Sequence, residues 1–140
     1  MLIDRLRATT AFIPELSIVA EEDEAIIGHI LFSRLHLDPP SDVPAISLAP
    51  MAVLPEYQRR GVGSALVKQG LDVAAQLGED LVVVVGHPAY YPRFGFHPAG
   101  RLGLTCPFPV PDEAFMALRL RSDRPLVAAK VVYPPEFDGV

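Results

Sequence analysis

Cysteine is almost missing from this chain. Cys106 stands alone among 140 residues, so no internal disulfide can form and no cysteine-based metal site is present. A reducing compartment, the cytoplasm, is the expectation. Long apolar runs are missing too, and none approaches the ~20 residues needed to cross a bilayer. The N-terminus reads Met1-Leu2-Ile3-Asp4-Arg5-Leu6-Arg7, too short and too charged for a signal peptide. Positive charge is scarce, with 12 Lys and Arg against 17 Asp and Glu and a net charge of −5. That balance argues against nucleic acid as the main partner, although Arg59-Arg60 forms a local basic patch. There is no internal repeat and no low-complexity segment. The chain also lacks the Gly-Lys-Ser/Thr run of a P-loop. Proline, by contrast, is plentiful. Its 15 copies cluster at Pro39-Pro40, Pro107 to Pro111 and Pro134-Pro135, read as ordered loops of one compact domain over residues 1–140. Half the residues are hydrophobic, enough to bury a sizeable core.

The hydrophobic pattern predicts a mixed α/β sheet. Residues from Met1 to about Ala8 read as the end of a helix. Glu15 to Ala20 and Ala25 to Leu35 read as strands joined by the acidic turn Glu21-Glu22-Asp23-Glu24. Both faces of the second strand are apolar, which predicts a central strand covered on both sides. Ile46 to Val53 reads as a strand with a bulge or break at Pro50, since proline cannot donate a ladder hydrogen bond. Leu54 to Tyr57 turns the chain. Gly61 to Leu77 is the clearest helix, with a stripe of Val62, Leu66, Val67, Leu71, Ala74 and Ala75, and with Gly78 as its C-terminal cap. Leu81 to Val85 is a buried strand, parallel to Ile46–Val53 through a right-handed crossover. Pro88 to Phe94 forms a short, distorted helix. Ala114 to Leu120 and Leu126 to Tyr133 read as a closing hairpin.

The segment with chemical content joins strand to helix. Gln58, Gly61 and Gly63 have the spacing Q-x-x-G-x-G at a helix start. The first helical amides have no internal partner and carry the positive end of the helix dipole, and glycines let an anion approach the backbone. Arg59 and Arg60 add charge, so a diphosphate is the natural guest. Gly61-x-Gly63 alone fits equally a glycine turn before any helix. A dinucleotide fingerprint would need a third glycine, where Leu66 stands.

The run Met51-Ala52-Val53-Leu54-Pro55-Glu56-Tyr57-Gln58-Arg59-Arg60-Gly61-Val62-Gly63-Ser64-Ala65-Leu66 resembles the central motif of the GNAT superfamily of N-acetyltransferases. Tyr90-Tyr91-Pro92-Arg93-Phe94-Gly95-Phe96 resembles its second motif, in the correct order and at about the correct distance. That second run, with the loop Cys106-Pro107-Phe108-Pro109-Val110-Pro111, is similar to a bacterial group of predicted acetyltransferases. The resemblance covers roughly Leu16 to Phe96 well.

The resemblance implies the GNAT-like acyl-CoA N-acyltransferase fold and acetyl-coenzyme A as cosubstrate, with no metal. It implies transfer of the acetyl group to a small-molecule or peptide amine by direct attack in a ternary complex. The pyrophosphate is then expected on Arg59, Arg60, Gly61, Val62, Gly63 and Ser64, with Gln58 beside them. The pantetheine arm is expected along Met51, Ala52 and Val53, where two strands splay. Tyr91 matches the general acid toward the departing thiolate, with Tyr90 as the alternative, and Tyr91 and Phe94 are also expected among the cofactor-binding residues. For a general base the residue types offer His29, His87, Glu56 and Glu22, of which His87 falls nearest the expected thioester. An alternative is a coenzyme A-binding module without turnover. Against the family pattern the chain is N-terminally shortened, starting inside the helix that leads into the hairpin. That predicts exposed Ile27, Leu31 and Leu35, and a homodimer formed through this face or through the edge strand Glu15 to Ala20.

Overall fold

The computed structural model describes residues 12–134. The helix end expected at Met1 to Ala8 lies outside them. β1 (Phe12–Glu22) and β2 (Ala25–Asp38) form an antiparallel hairpin. The acidic run narrows to a two-residue turn at Asp23 and Glu24, with φ of 51° and 67°. Two left-handed residues in succession match the twist of the flanking strands. β3 (Ala45–Val53) pairs antiparallel with β2, and helix α1 (Val62–Gln76) crosses to β4 (Leu81–Val85), parallel to β3. The short β5 (His97–Pro98) and β6 (Leu104–Thr105) precede β7 (Phe115–Arg119) and β8 (Ala129–Val132). The strand order is β5-β7-β4-β3-β2-β8-β6, with β1 also on β2.

The closing hairpin does not form. β7 pairs with β4 and β5, while β8 pairs with β2 and β6 at the far side of the sheet. The chain between them is tied down on the way. The Asp80 carboxylate accepts from the Arg119 guanidinium at 2.6 and 3.0 Å and from the N–H groups of Arg121 and Ser122. Arg124 then donates to the Asp42 carbonyl at 2.6 Å. Side-chain alternation shows that two segments are strands; partners on the carrying loop decide which edges they reach.

Two apolar clusters lie on the two faces of the sheet. Leu66, Val67 and Ala74 of α1 pack on Ile30, Phe32, Ile46, Leu48, Val82, Val84 and Met116. Leu35, Ala45, Leu81, Val83, Phe115 and Ala117 build the second cluster with Ala99, Leu104 and Val131. β2 is buried on both faces, as its sequence predicts. The expected exposure of one face is wrong: Ile27, Leu31 and Leu35 are 6%, 0% and 2% exposed. The stripe of α1 also differs at one position, Ala75 being exposed and Gly70 buried. A Cβ on Gly70 would come within 2.2 Å of the Phe32 ring, so glycine lets the helix lie on that ring.

β3 carries the bulge its proline predicts. Met51 faces Ile30 and Leu48 faces Phe32, so β3 spends one residue more than β2 across Ala49-Pro50. On its other edge β3 pairs with β4 only from Ala45 to Ser47, opposite Leu81 to Val83. β3 then runs on to Val53 without β4, leaving a wedge between the two strands.

Candidate active site

The wedge opens beside the start of α1. Gly61 caps the helix with φ 81°, and the first intrahelical bond runs from the Ala65 N–H to the Gly61 carbonyl at 2.9 Å. The amides of Val62, Gly63 and Ser64 therefore have no acceptor within the helix. Arg59 is itself left-handed, with φ 65°. The Gln58 side-chain amide donates to the Val53 carbonyl at 3.0 Å, which clips the loop to the end of β3.

The facing wall comes from the second motif. Pro88 to Tyr90 turn the chain and a 3-10 helix follows over Tyr91–Phe94. The Tyr90 hydroxyl shares a 3.0 Å hydrogen bond with Ser64 Oγ and so reaches the loop. Arg93 lies over the Tyr90 ring, 4.6 Å from its centroid, and its Nε donates to the Tyr90 carbonyl. Between the walls is a cleft of ≈ 320 Å³ lined by Val53, Gln58, Arg59, Gly61, Ser64, Tyr90 and Arg93, among others. Arginines and helix amides face it and, among the described residues, no carboxylate lines it. Arginine side chains and unpaired helix amides are groups that attract anions.

Tyr91 sits one residue deeper. It is 8% exposed, packed among Tyr90, Phe94 and Phe96 with centroids 5.1, 6.5 and 5.8 Å away. Burial raises its phenol pKa, with Tyr90 adding in the same direction, so Tyr91 holds its proton at neutral pH. Its ring lies against Gly86, just beyond the end of β4.

Of the expected site residues, Val53, Gln58, Arg59, Gly61, Gly63 and Ser64 line the cleft. Met51 and Val53 are half-buried on β3 near Gly63, while Ala52 is exposed. Arg60 turns toward the Tyr57 ring, 5.2 Å from its centroid, rather than lining the cleft. Phe94 lies behind Tyr90, with ring centroids 5.3 Å apart, and supports the wall from the core. His87 is exposed, and its carbonyl accepts the Tyr90 N–H at 3.1 Å. Of the other base candidates, His29 is half-buried in β2, and Glu56 and Glu22 are exposed. Arg93 was missed by the sequence reading. The available signal is its spacing from Tyr90, because residues i and i+3 eclipse in a 3-10 turn.

A glycine-loop anion cleft beside splayed parallel strands defines an acyl-CoA-type transferase architecture. The chain belongs to the acetyltransferase (GNAT) family, whose model matches residues 3–96. It is 44% identical over 102 residues to YjhQ, an uncharacterized N-acetyltransferase of Escherichia coli, covering 71% of this chain and 56% of that protein. It is 38% identical over 109 residues to YhbS of the same species, covering 77% and 65%. The chain thus spans less than two thirds of either relative. The crystal structure of E. coli YhbS in complex with CoA superposes with a TM-score of 0.88 at 35% identity, covering 97% of this chain and 75% of that one. A GNAT family acetyltransferase from Brucella melitensis in complex with acetyl-CoA gives 0.78 at 33% identity, covering 98% and 76%. Among the described residues no helix is long and apolar enough to cross a membrane, and no cluster of His, Cys, Asp and Glu could hold a metal ion.

Proposed function

We propose that the chain is an N-acetyltransferase that binds acetyl-CoA in the cleft and passes the acetyl group to an amine by direct attack. The observation that carries this reading is the cleft itself: unpaired helix amides, Arg59 and Arg93 face it beside an unpaired edge of β3. The pyrophosphate rests on residues 59 to 64. The pantetheine arm adds to β3 at Met51 to Val53, as an extended ligand adds to any open strand edge. Binding of CoA and acetyl-CoA by two structural relatives supports the assignment.

In the reaction the amine nitrogen attacks the thioester carbonyl, the carbon–sulfur bond breaks, and the thiolate leaves. Tyr91 gives that sulfur its proton, a role suited to a phenol whose burial keeps it protonated. His87, exposed just beyond the end of β4, takes the proton lost by nitrogen.

Calorimetric titration with acetyl-CoA and a thiol-release assay with an amine panel test the proposal together. A Cβ at Gly63 would stand 3.5 Å from the Tyr90 hydroxyl. Gly63→Val should therefore fill the cleft and abolish acetyl-CoA binding with the fold intact. Tyr91→Phe should lower turnover by roughly tenfold or more at unchanged cofactor affinity. Unchanged binding in Gly63→Val sinks the cofactor assignment. Wild-type rates in Tyr91→Phe move the role to Tyr90.

A further inference from the structure

The two neighbouring tyrosines of the second motif reach different places. The Tyr91 ring lies against Gly86, beyond the end of β4. Tyr90 turns instead to the glycine loop, where its hydroxyl is 3.0 Å from Ser64 Oγ and would stand 3.5 Å from a Cβ on Gly63. That hydroxyl therefore ends beside the first turn of α1, whose amides have no acceptor within the helix. Arg93 is held on the Tyr90 ring by two contacts. Its guanidinium carbon lies 4.6 Å from the ring centroid, and its Nε donates to the Tyr90 carbonyl at 3.0 Å.

Both contacts leave the two Nη groups of Arg93 available. They make no hydrogen bond and no ion pair among the described residues. Arg93 lines the cleft with Arg59, whereas Arg60 lies over the Tyr57 ring. A guanidinium stacked on a ring and tied at Nε has given up rotamer freedom before a ligand arrives, so less is lost on binding. The helix amides on the other wall carry about half a positive charge. A diphosphate brings two negative charges, more than those amides balance alone.

We propose that Arg93 is a specificity-determining residue for the cofactor: positioned by Tyr90, it holds the diphosphate from the wall opposite the α1 amides and so selects diphosphate-bearing forms of the cofactor over shorter pantetheine compounds. The inference rests on the acetyl-CoA reading above. An anion seated on the amides of Val62, Gly63 and Ser64 lies beside the ring that carries Arg93, and the two Nη groups meet its oxygens by charge-assisted hydrogen bonds. A ligand without the diphosphate gains nothing from Arg93, and that difference in affinity is the selectivity. The 3′-phosphate of coenzyme A hangs from the ribose beyond the diphosphate and is not the group Arg93 reads. The adjacent tyrosines thus divide the work, with Tyr90 positioning the cofactor's anchor and Tyr91 serving the sulfur.

The test is calorimetric titration with CoA, dephospho-CoA (which lacks the 3′-phosphate), inorganic pyrophosphate and pantetheine (which has no phosphate). Arg93→Gln should weaken the first three by about tenfold relative to pantetheine, the scale of one lost charged contact. Arg93 is exposed, so this variant should keep its fold, which a melting curve checks. Tyr90→Leu, which removes the ring under Arg93, should shift the same ratios in the same direction. The double variant should lose no more than about twofold beyond Arg93→Gln, because the two residues act as a unit. Additive losses overturn the positioning role of Tyr90. A loss confined to CoA, with dephospho-CoA spared, assigns Arg93 to the 3′-phosphate and overturns the proposal. An equal loss for pantetheine reports a merely structural effect and overturns it too. Parental affinities in Arg93→Gln overturn it alone, leaving the cofactor reading intact. A parent protein that binds no CoA overturns the cofactor reading and this proposal with it.

Discussion

Gly86→Ala is the substitution that most directly probes how the fold holds Tyr91. A Cβ at Gly86 would lie 2.4 Å from Tyr91 Cε2, 3.1 Å from Cδ2 and 3.4 Å from Cζ. Carbon atoms prefer about 3.5–4.0 Å, so the ring must move by roughly 1 Å. It has little room, because Tyr90, Phe94 and Phe96 surround it. Overpacking of this kind costs about 1–3 kcal/mol. Unfolding entropy of about 2.1 cal/mol/K per residue gives ~0.3 kcal/mol/K for a chain of this length. A cost of about 2 kcal/mol therefore lowers Tm by about 7 °C. The functional loss should be larger, since a 1 Å misplacement of a reacting group costs on the order of 100-fold in rate. The glycine loop does not touch Gly86, so acetyl-CoA affinity should fall less than the rate. The assay is a melting curve beside thiol release and calorimetric titration. Gly100→Ala serves as a control, because a Cβ there meets nothing within 4 Å. If Gly86→Ala melts with the parent protein and turns over at the parental rate, the placement of Tyr91 against Gly86 is wrong.

Other outcomes follow from other parts of the chain. Burial alone would raise the Asp80 carboxyl, but the Arg119 guanidinium and the N–H groups of Arg121 and Ser122 outweigh it and bring the pKa from 3.8 to about 2. A depressed carboxyl stabilises the fold fully above its unfolded pKa, and that stability, about 2 kcal/mol, is lost as pH falls from about 4 toward 2. Asp80→Asn should flatten this limb in acid-unfolding curves and cost about 3 kcal/mol at pH 7, because Arg119 is left unpaired; an unchanged acid limb refutes the linkage. Gly61→Val, at φ 81° with open space around its Cβ, should cost about 1–2 kcal/mol through backbone strain alone, read by denaturant titration. β1 has no partner besides β2 among the described residues, and Val19 and Ile26 are exposed on that hairpin. Light scattering at tens of micromolar should then show a dimer paired through β1, and a monomer would refute it.

Much of the architecture was legible because it depends on local patterns. Five valines and leucines in a row make β4, a 3.6-residue stripe makes α1, and a proline inside an apolar strand makes the bulge of β3. The glycine spacing placed the candidate anion site at the start of α1 because φ above zero and unpaired first-turn amides are properties of a few consecutive residues. Tertiary structure decided the rest. Whether β7 and β8 would pair with each other depended on Asp80, a residue near β4 that holds the chain leaving β7. Whether Ile27, Leu31 and Leu35 would be exposed depended on what packs over them, which no alternation pattern records. Arg93 joined the cleft, and Phe94 left it, through the eclipsed geometry of one 3-10 turn. Periodicity reports which face of an element is apolar; contacts between distant segments decide what that face meets, and active sites are made of such contacts.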